Sequence, residues 1–335
     1  MDKQTRQTFE ELLKKRGAVV VGYGHKETDG KKTRKRAIIV GVKEKLPLDK
    51  LSPGDVIPRE VWGVATDVQQ RDEIFFQLPK ATPKGVENVG WQRPASPGCS
   101  IGHKDITAGT FGLVVRKGGI DYILSNNHVL ANVNKGKIGD AILQPGQYDG
   151  GIIGQDTIAS LSDYIKIEML GVSNCPISNG LAKIFNALAY LFDKNSRMVV
   201  TRSITNKVDC AIAQPHSSSD ILPFICDIGK PMGLTVPDVG MTVQKSGRTT
   251  GYTKGQITLI DAMANVNMGN NEIAIFEDQF EVTTKDGQFS AGGDSGSAIL
   301  DLDKNVVGLL FAGSTTKTYC NDINNIFQVL KLELA

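Results

Sequence analysis

The chain has 335 residues, enough for two or three structural units and a large core. Its 40% hydrophobic and 22% charged residues are those of a globular protein and exclude a disordered or fibrous chain. The net charge of +2 excludes nucleic-acid binding over the whole surface, but fourteen Lys and Arg against seven Asp and Glu give residues 1–50 a net +7, leaving −5 for the remainder.

The N-terminus, Met1-Asp2-Lys3-Gln4-Thr5-Arg6, lacks the apolar core of a signal peptide, and no run is long enough for a membrane span. Cys99, Cys175, Cys210, Cys226 and Cys320 are odd in number and lack metal-type spacing. These features point to a reducing cytoplasm, with all five thiols serving packing. They imply no metal, no cofactor and no membrane partner.

In chain order, residues 2–16 read as an amphipathic helix with a Phe9, Leu12, Leu13 stripe, stopped by Gly17. Ala18 to Val21, Arg36 to Val42 and Val61 to Val68 read as strands. The basic run Lys31-Lys32-Thr33-Arg34-Lys35-Arg36 between them is read as a solvated hairpin rather than a surface for nucleic acid or acidic lipid. Residues 1–80 therefore form a small α/β N-terminal domain, a candidate for binding a protein partner or gating substrate. Residues 81–99, with Pro83, Pro94 and Pro97, are the linker.

From residue 100 onward the chain reads as β. Phe111 to Arg116 and Ile120 to Ser125 flank Lys117-Gly118-Gly119, a hairpin signal. Short apolar runs separated by glycine follow at Val239 to Val243, Gln256 to Ile260, Ile273 to Phe276 and Val306 to Phe311, as in barrels or sandwiches. Ile177 to Leu191 is the exception. Its Leu181, Ile184, Phe185, Leu188 and Leu191 fall at helical spacing, which predicts an inserted helix packing its stripe on a barrel. Ile323 to Leu334 reads as a strand or turn leading into a short helix.

The chemistry centres on Phe289-Ser290-Ala291-Gly292-Gly293-Asp294-Ser295-Gly296-Ser297-Ala298-Ile299-Leu300. A glycine-rich turn there presents Ser295 and can aim backbone N–H groups at one point, which an acyl-transfer enzyme needs beside its nucleophile. Among His25, His103, His128 and His216, only His128 ends an expected strand in a compact polar turn, Ser125-Asn126-Asn127-His128. Asp209 opens an apolar strand, Val208-Asp209-Cys210-Ala211-Ile212, where a half-buried carboxylate needs a partner such as a histidine N–H. The order is His128, Asp209, Ser295. An α/β-hydrolase order and a subtilisin order both fail.

These segments resemble the trypsin-like (chymotrypsin-fold) serine peptidases in their bacterial form. Ser-Asn-Asn-His128-Val-Leu resembles the family's His segment and Val-Asp209-Cys-Ala-Ile-Ala its Asp segment. Gly293-Asp294-Ser295-Gly296 is the nucleophile motif, and Phe311-Ala312-Gly313-Ser314 resembles the strand lining the substrate cleft. The resemblance covers residues 100–335 and implies two six-stranded β-barrels, His128 and Asp209 on the first and Ser295 on the second. It implies His128 as base, Asp209 as its orienting acid, Ser295 as nucleophile, and the N–H groups of Gly293 and Ser295 as the oxyanion hole. Phe289 falls at the floor of the specificity pocket and offers no charge to a cation. The substrate implied is a protein or peptide. A catalytically silent peptide-binding module that keeps the fold is the alternative.

In many relatives a new N-terminus pairs with the Asp before the nucleophile, so the resemblance raises a cut after Ser100, ahead of Ile101-Gly102. The folded look of residues 1–80 favours their retention, with Asp294 held by an internal base or by backbone N–H groups.

Overall fold

A computed structural model describes the chain apart from residues 29–30, 77–78, 83–84, 173–175, 192–200, 203, 270–271 and 286. Helix α1 (Lys3–Leu13) is capped by Asp2, whose carboxylate accepts the Thr5 N–H at 2.9 Å, and Gly17 at φ 73° turns the chain out of it. Its Phe9, Leu12 and Leu13 are buried with Val21, Ile38 and Val40. Strand β1 (Ala18–Thr28) pairs antiparallel with β2 (Lys31–Val42), and β2 pairs parallel with β3 (Val64–Gln70). The basic run is the outer half of β2 and is largely exposed. A two-residue strand, β4 (Ile74–Phe75), follows. Within residues 81–99, Asn88 is buried, its Nδ2 donating to Gly247 O at 2.9 Å, and Ala95 and Cys99 are fully buried.

The first barrel is built from β5 (Ser100–His103), β6 (Gly109–Thr110), β7 (Leu113–Lys117), β8 (Ile120–Ser125), β9 (Ala141–Leu143), β10 (Thr157–Tyr164) and β11 (Ala211–Pro215). Pairing runs β7-β8-β11-β10-β9-β5-β6. Strands β6 and β7 are successive parts of one bent segment, so the order returns to its start and six strands close a barrel without a free edge. The bend, at Gly112, admits no side chain: a Cβ there would lie 2.3 Å from Gly296 O. Phe111, Val114, Ile123, Ile142, Leu161 and Ala213 fill the interior.

Helix α2 (Asn127–Leu130) follows β8, and helix α3 (Pro176–Leu191) is inserted before β11. The stripe of α3 does not pack on a barrel as expected. Leu181, Ile184 and Phe185 are 62%, 60% and 51% exposed, and only Ala182 turns inward among the side chains described on this face. The short strands flanking the helix, Gly171–Val172 and Thr201–Arg202, pair with each other and join no larger sheet among the described residues. The side chains of Leu188 and Leu191 lie outside the described residues.

The second barrel contains β12 (Thr242–Gly247), β13 (Gly251–Gly269), β14 (Glu272–Thr283), β15 (Ala298–Asp301), β16 (Asn305–Gly313) and β17 (Thr318–Asp322). Each pairs with the next around the ring β12-β13-β14-β17-β16-β15, and β15 returns to β12. Val243, Ile257, Phe280, Ile299 and Val307 form its core. Helix α4 (Ile323–Leu330) precedes the final residues instead of following a strand there. Asp322 caps it by accepting the Asn324 N–H at 2.8 Å, and Ile323, Ile326, Phe327 and Leu330 at helical spacing bury against Leu113, Leu124 and Leu309, between the barrels. Strand β13 is 19 residues long, and its far half pairs with β1 through Gly24↔Leu259 and Val20↔Ala264. The N-terminal strands thus continue the sheet of the second barrel.

Candidate active site

His128 lies in the one-turn helix α2, immediately after β8. Its backbone N–H donates to Asp209 Oδ1 at 3.3 Å, and its Nδ1 is 2.5 Å from Asp209 Oδ2. A carboxylate only accepts, so Nδ1 carries the proton and the neutral ring presents a lone pair at Nε2. Asp209 is fully buried and held from both barrels. Its N–H donates to Asn321 Oδ1 on β17 at 3.0 Å, and its carbonyl accepts Asn126 Nδ2 at 2.8 Å. Buried His103 makes a separate pair with Asp140 at 3.0 Å in the first barrel, and its Nδ1 accepts the N–H of Asp105, a residue of the cleft wall, at 3.1 Å.

Ser295 sits in the turn between β14 and β15. Gly293 and Gly296 have φ of 99° and 94°, and a Cβ on Gly296 would lie 2.1 Å from Ser125 Oγ. The turn is stitched to the first barrel: the Thr110 N–H donates to Ser295 O at 2.8 Å and Thr110 Oγ1 donates to Gly293 O at 2.9 Å. The N–H groups of Asp294, Gly296 and Ser297 donate to Ala291, Leu310 and Asp294. Those of Gly293 and Ser295 donate to none of the described residues, so both remain available to an oxyanion.

Asp294 braces this turn from beneath. Its carboxylate accepts the N–H groups of Thr249, Thr250 and Ala291 at 2.8, 3.1 and 2.9 Å and the Thr250 hydroxyl at 2.7 Å. Lys245 Nζ lies 3.4 Å away, both side chains being fully buried, and also donates to Gly251 O at 2.9 Å and to the Thr250 hydroxyl. Burial pushes the Lys245 ammonium down from its ordinary value, and the Asp294 charge opposes that shift.

His128 and Ser295 face one cleft of about 870 Å³, without a hydrogen bond between their side chains. Its walls include Ile106, Ala108, Val129, Tyr148 and Met268. Phe76 stacks on the His128 ring, with centroids 4.2 Å apart and planes 23° apart. Phe311 is fully buried, packed 4.7 Å from Phe276, and Ala312 and Gly313 continue β16 and are buried too; none of the three is among the cleft's described walls. Phe289 is 3% exposed and packs in the second-barrel core. It also lines a separate pocket of about 110 Å³ with Ser290, Lys317 and Thr318.

The structure thus brings His128, Asp209 and Ser295 together, whereas Phe289, Phe311, Ala312 and Gly313 are not among the described walls of their cleft. Sequence reasoning missed Asn126, Lys245, Asn321 and Phe76. The polar turn Gly247-Arg248-Thr249-Thr250-Gly251 was a signal for the Asp294 brace. Phe76 had none, because its segment read as part of another unit.

Residues 153–318, which include Asp209 and Ser295, match the model of Peptidase family S64. The chain matches no curated protein sequence. It is similar to the solved structure of a glutamic acid specific serine protease that uses a histidine triad in substrate binding, at 17% identity and TM-score 0.47, covering 72% of this chain and 100% of that one. It is similar to Cellulomonas bogoriensis chymotrypsin at 14% and 0.43, covering 72% and 99%. It is also similar to Thermobifida fusca protease A at 15% and 0.45, covering 72% and 99%. The chain folds into two β-barrels, and the cleft that His128 and Ser295 face lies where they meet.

Proposed function

We propose that the protein is a serine endopeptidase acting on proteins or peptides through an acyl-enzyme. The observation that carries this reading is the 2.5 Å contact between His128 Nδ1 and buried Asp209, with Ser295 on the same cleft. The peptidase-family match supports it.

In this reading Nε2 of His128 takes the Ser295 hydroxyl proton as Oγ attacks the scissile carbonyl. The oxyanion forms opposite the free N–H groups of Gly293 and Ser295. The imidazolium, stabilised by Asp209, then protonates the leaving amine. Water enters, gives its proton to the same ring, and releases the acid product. These roles follow the established template for the fold. Substrate approaches along β16 at Ala312 and Gly313.

Labelling with a fluorophosphonate tests the reading. Ser295 should carry the label, and Ser295→Ala should lose both label and hydrolysis, leaving the oxyanion hole and binding to supply about 10³–10⁴-fold over water. A wild-type protein that binds peptides, takes no label and cleaves nothing is the silent binding module instead.

A further inference from the structure

Ile74–Phe76 and, further on, Lys80 are anchored to the second barrel beside the cleft. On one side β4 enters the second-barrel sheet. Ile74 and Phe75 pair parallel with Val266 and Asn267, and Phe75 pairs antiparallel with Gly313 at the end of β16. The Phe76 N–H donates to Asn267 O at 3.3 Å. The Phe76 ring lies flat on His128 and meets Phe311 edge-on, with centroids 6.3 Å apart at 80°. On the other side the Lys80 N–H donates to Gly292 O at 2.9 Å, in the turn that carries Ser295. The Lys80 carbonyl accepts Arg248 Nη1 at 2.8 Å, and Arg248 is fixed by Asp149 through contacts of 2.7 and 2.5 Å.

A peptide substrate needs the backbone edge at Gly313 and the space over the imidazole. Phe75 holds the first and Phe76 the second. A tethered occupant acts at an effective concentration in about the millimolar range, and the apparent affinity for an external ligand falls by the fraction of molecules with the site open. The stacked ring also shows which side-chain chemistry the surface beside His128 accepts: a flat aromatic, offset on the imidazole.

We propose that Phe75 and Phe76 are resident competitors of substrate, so that the full-length protein is self-blocked and the subsite over His128 selects an aromatic side chain. This rests on the peptidase reading above, and the experiment separates the two.

The full-length wild type, Phe76→Ala, Phe76→Tyr and Lys80→Pro are compared on a pooled quenched-fluorescent peptide library, with fluorophosphonate labelling of Ser295 and thermal melts in parallel. Lys80→Pro removes the N–H that donates to Gly292 while leaving Phe76 in place. Phe76→Ala and Lys80→Pro should each raise kcat/KM at least 10-fold, mainly by lowering KM. Phe76→Tyr should stay as slow as wild type, and peptides with an aromatic residue should gain most. Equal kcat/KM in wild type, Phe76→Ala and Lys80→Pro, with Ser295 labelled in all, overturns the self-block and leaves the peptidase reading intact. Absence of label and of hydrolysis in every variant overturns both.

Discussion

Lys245 Nζ lies 3.4 Å from Asp294 Oδ2 at the base of the nucleophile turn, and neither side chain reaches solvent. The pair replaces any need for an incoming N-terminal ammonium at this point. Ile101, the residue such a cut would free, is fully buried in the first barrel and pairs with Gly109. It would have to leave that core to reach a carboxylate already filled by Lys245, Thr249, Thr250 and Ala291.

Lys245→Met should therefore destabilise the protein by about 3 kcal/mol, the lower end for breaking a buried pair, because the hydrogen bonds to Asp294 remain. It should also reduce kcat at least tenfold, since the turn aims the Gly293 and Ser295 N–H groups. Urea unfolding and steady-state kinetics on one preparation check both. A variant as stable and as fast as wild type would show that the pair holds nothing in place.

Asp209→Asn should retain the fold and lose kcat by about 10⁴-fold, the magnitude known for this exchange in the template for the fold, with KM little changed. An amide can donate to Nδ1 and leave the proton on Nε2, where it blocks the base. Steady-state kinetics on the folded variant check this, and a kcat near wild type would remove Asp209 from its orienting role.

Glu281 joins the N-terminal segment to the second barrel. Burial pushes its carboxyl up, but Arg71 and Lys317, with hydrogen bonds from Thr258 and Tyr319, outweigh burial and hold it at about 2 against an ordinary 4.5. A carboxyl depressed in the folded state stabilises it above the unfolded value. That contribution, about 3 kcal/mol, is lost as pH falls from about 4.5 to about 2. Arg71→Met should lose about 3 kcal/mol at neutral pH and show a shallower decline through the acid range. Parallel acid-unfolding curves for the two proteins would refute the linkage.

Local signals made much of this molecule readable. Glycine-separated β-branched runs mark the strands of both barrels, and Gly293-Asp294-Ser295-Gly296 marks its turn by composition alone. His128 and Asp209 were legible because a polar pair at strand ends is costly unless used. What stayed hidden depends on which distant surfaces meet. The period of α3 identifies Leu181, Ile184 and Phe185 as one face but cannot say that these three side chains stay exposed. The extra length of β13 announces a long hairpin, not that β1 will lie along it. Phe76 reaches His128 only because Phe75 takes the edge at Gly313, a contact no periodicity encodes.

Cleavage after Lys or Arg should be disfavoured. The pocket that Phe289 lines holds Ser290, Thr318 and the Lys317 side chain, and among the described residues no acidic side chain is in its walls. A substrate ammonium or guanidinium there would meet a like charge and an aromatic core residue without a counter-ion, a cost of several kcal/mol. Small and medium apolar residues should be preferred at the cleaved position. A peptide-library profile dominated by arginine would overturn this.

Removing residues 1–100 should damage the second barrel instead of liberating it. Val20, Ala37, Ile39 and Ile74 share one buried cluster with Leu259, Ala264 and Val266 of β13, and Val21, Ile38 and Val40 share another with Met263. Taking away β1 leaves the far half of β13 with an unpaired edge and an uncovered apolar face, the combination that templates edge-to-edge association. It also strips Arg71 from Glu281, leaving that buried carboxylate with Lys317 as its remaining cation. A chain beginning at Ile101 should therefore express mostly as aggregate, and any soluble fraction should melt well below the full-length protein. Intact-mass analysis of active full-length enzyme should show residues 1–100 still present. A monodisperse chain beginning at Ile101, with an unchanged melting temperature and full activity, would mean that the N-terminal strands are an accessory to the sheet and not part of its support.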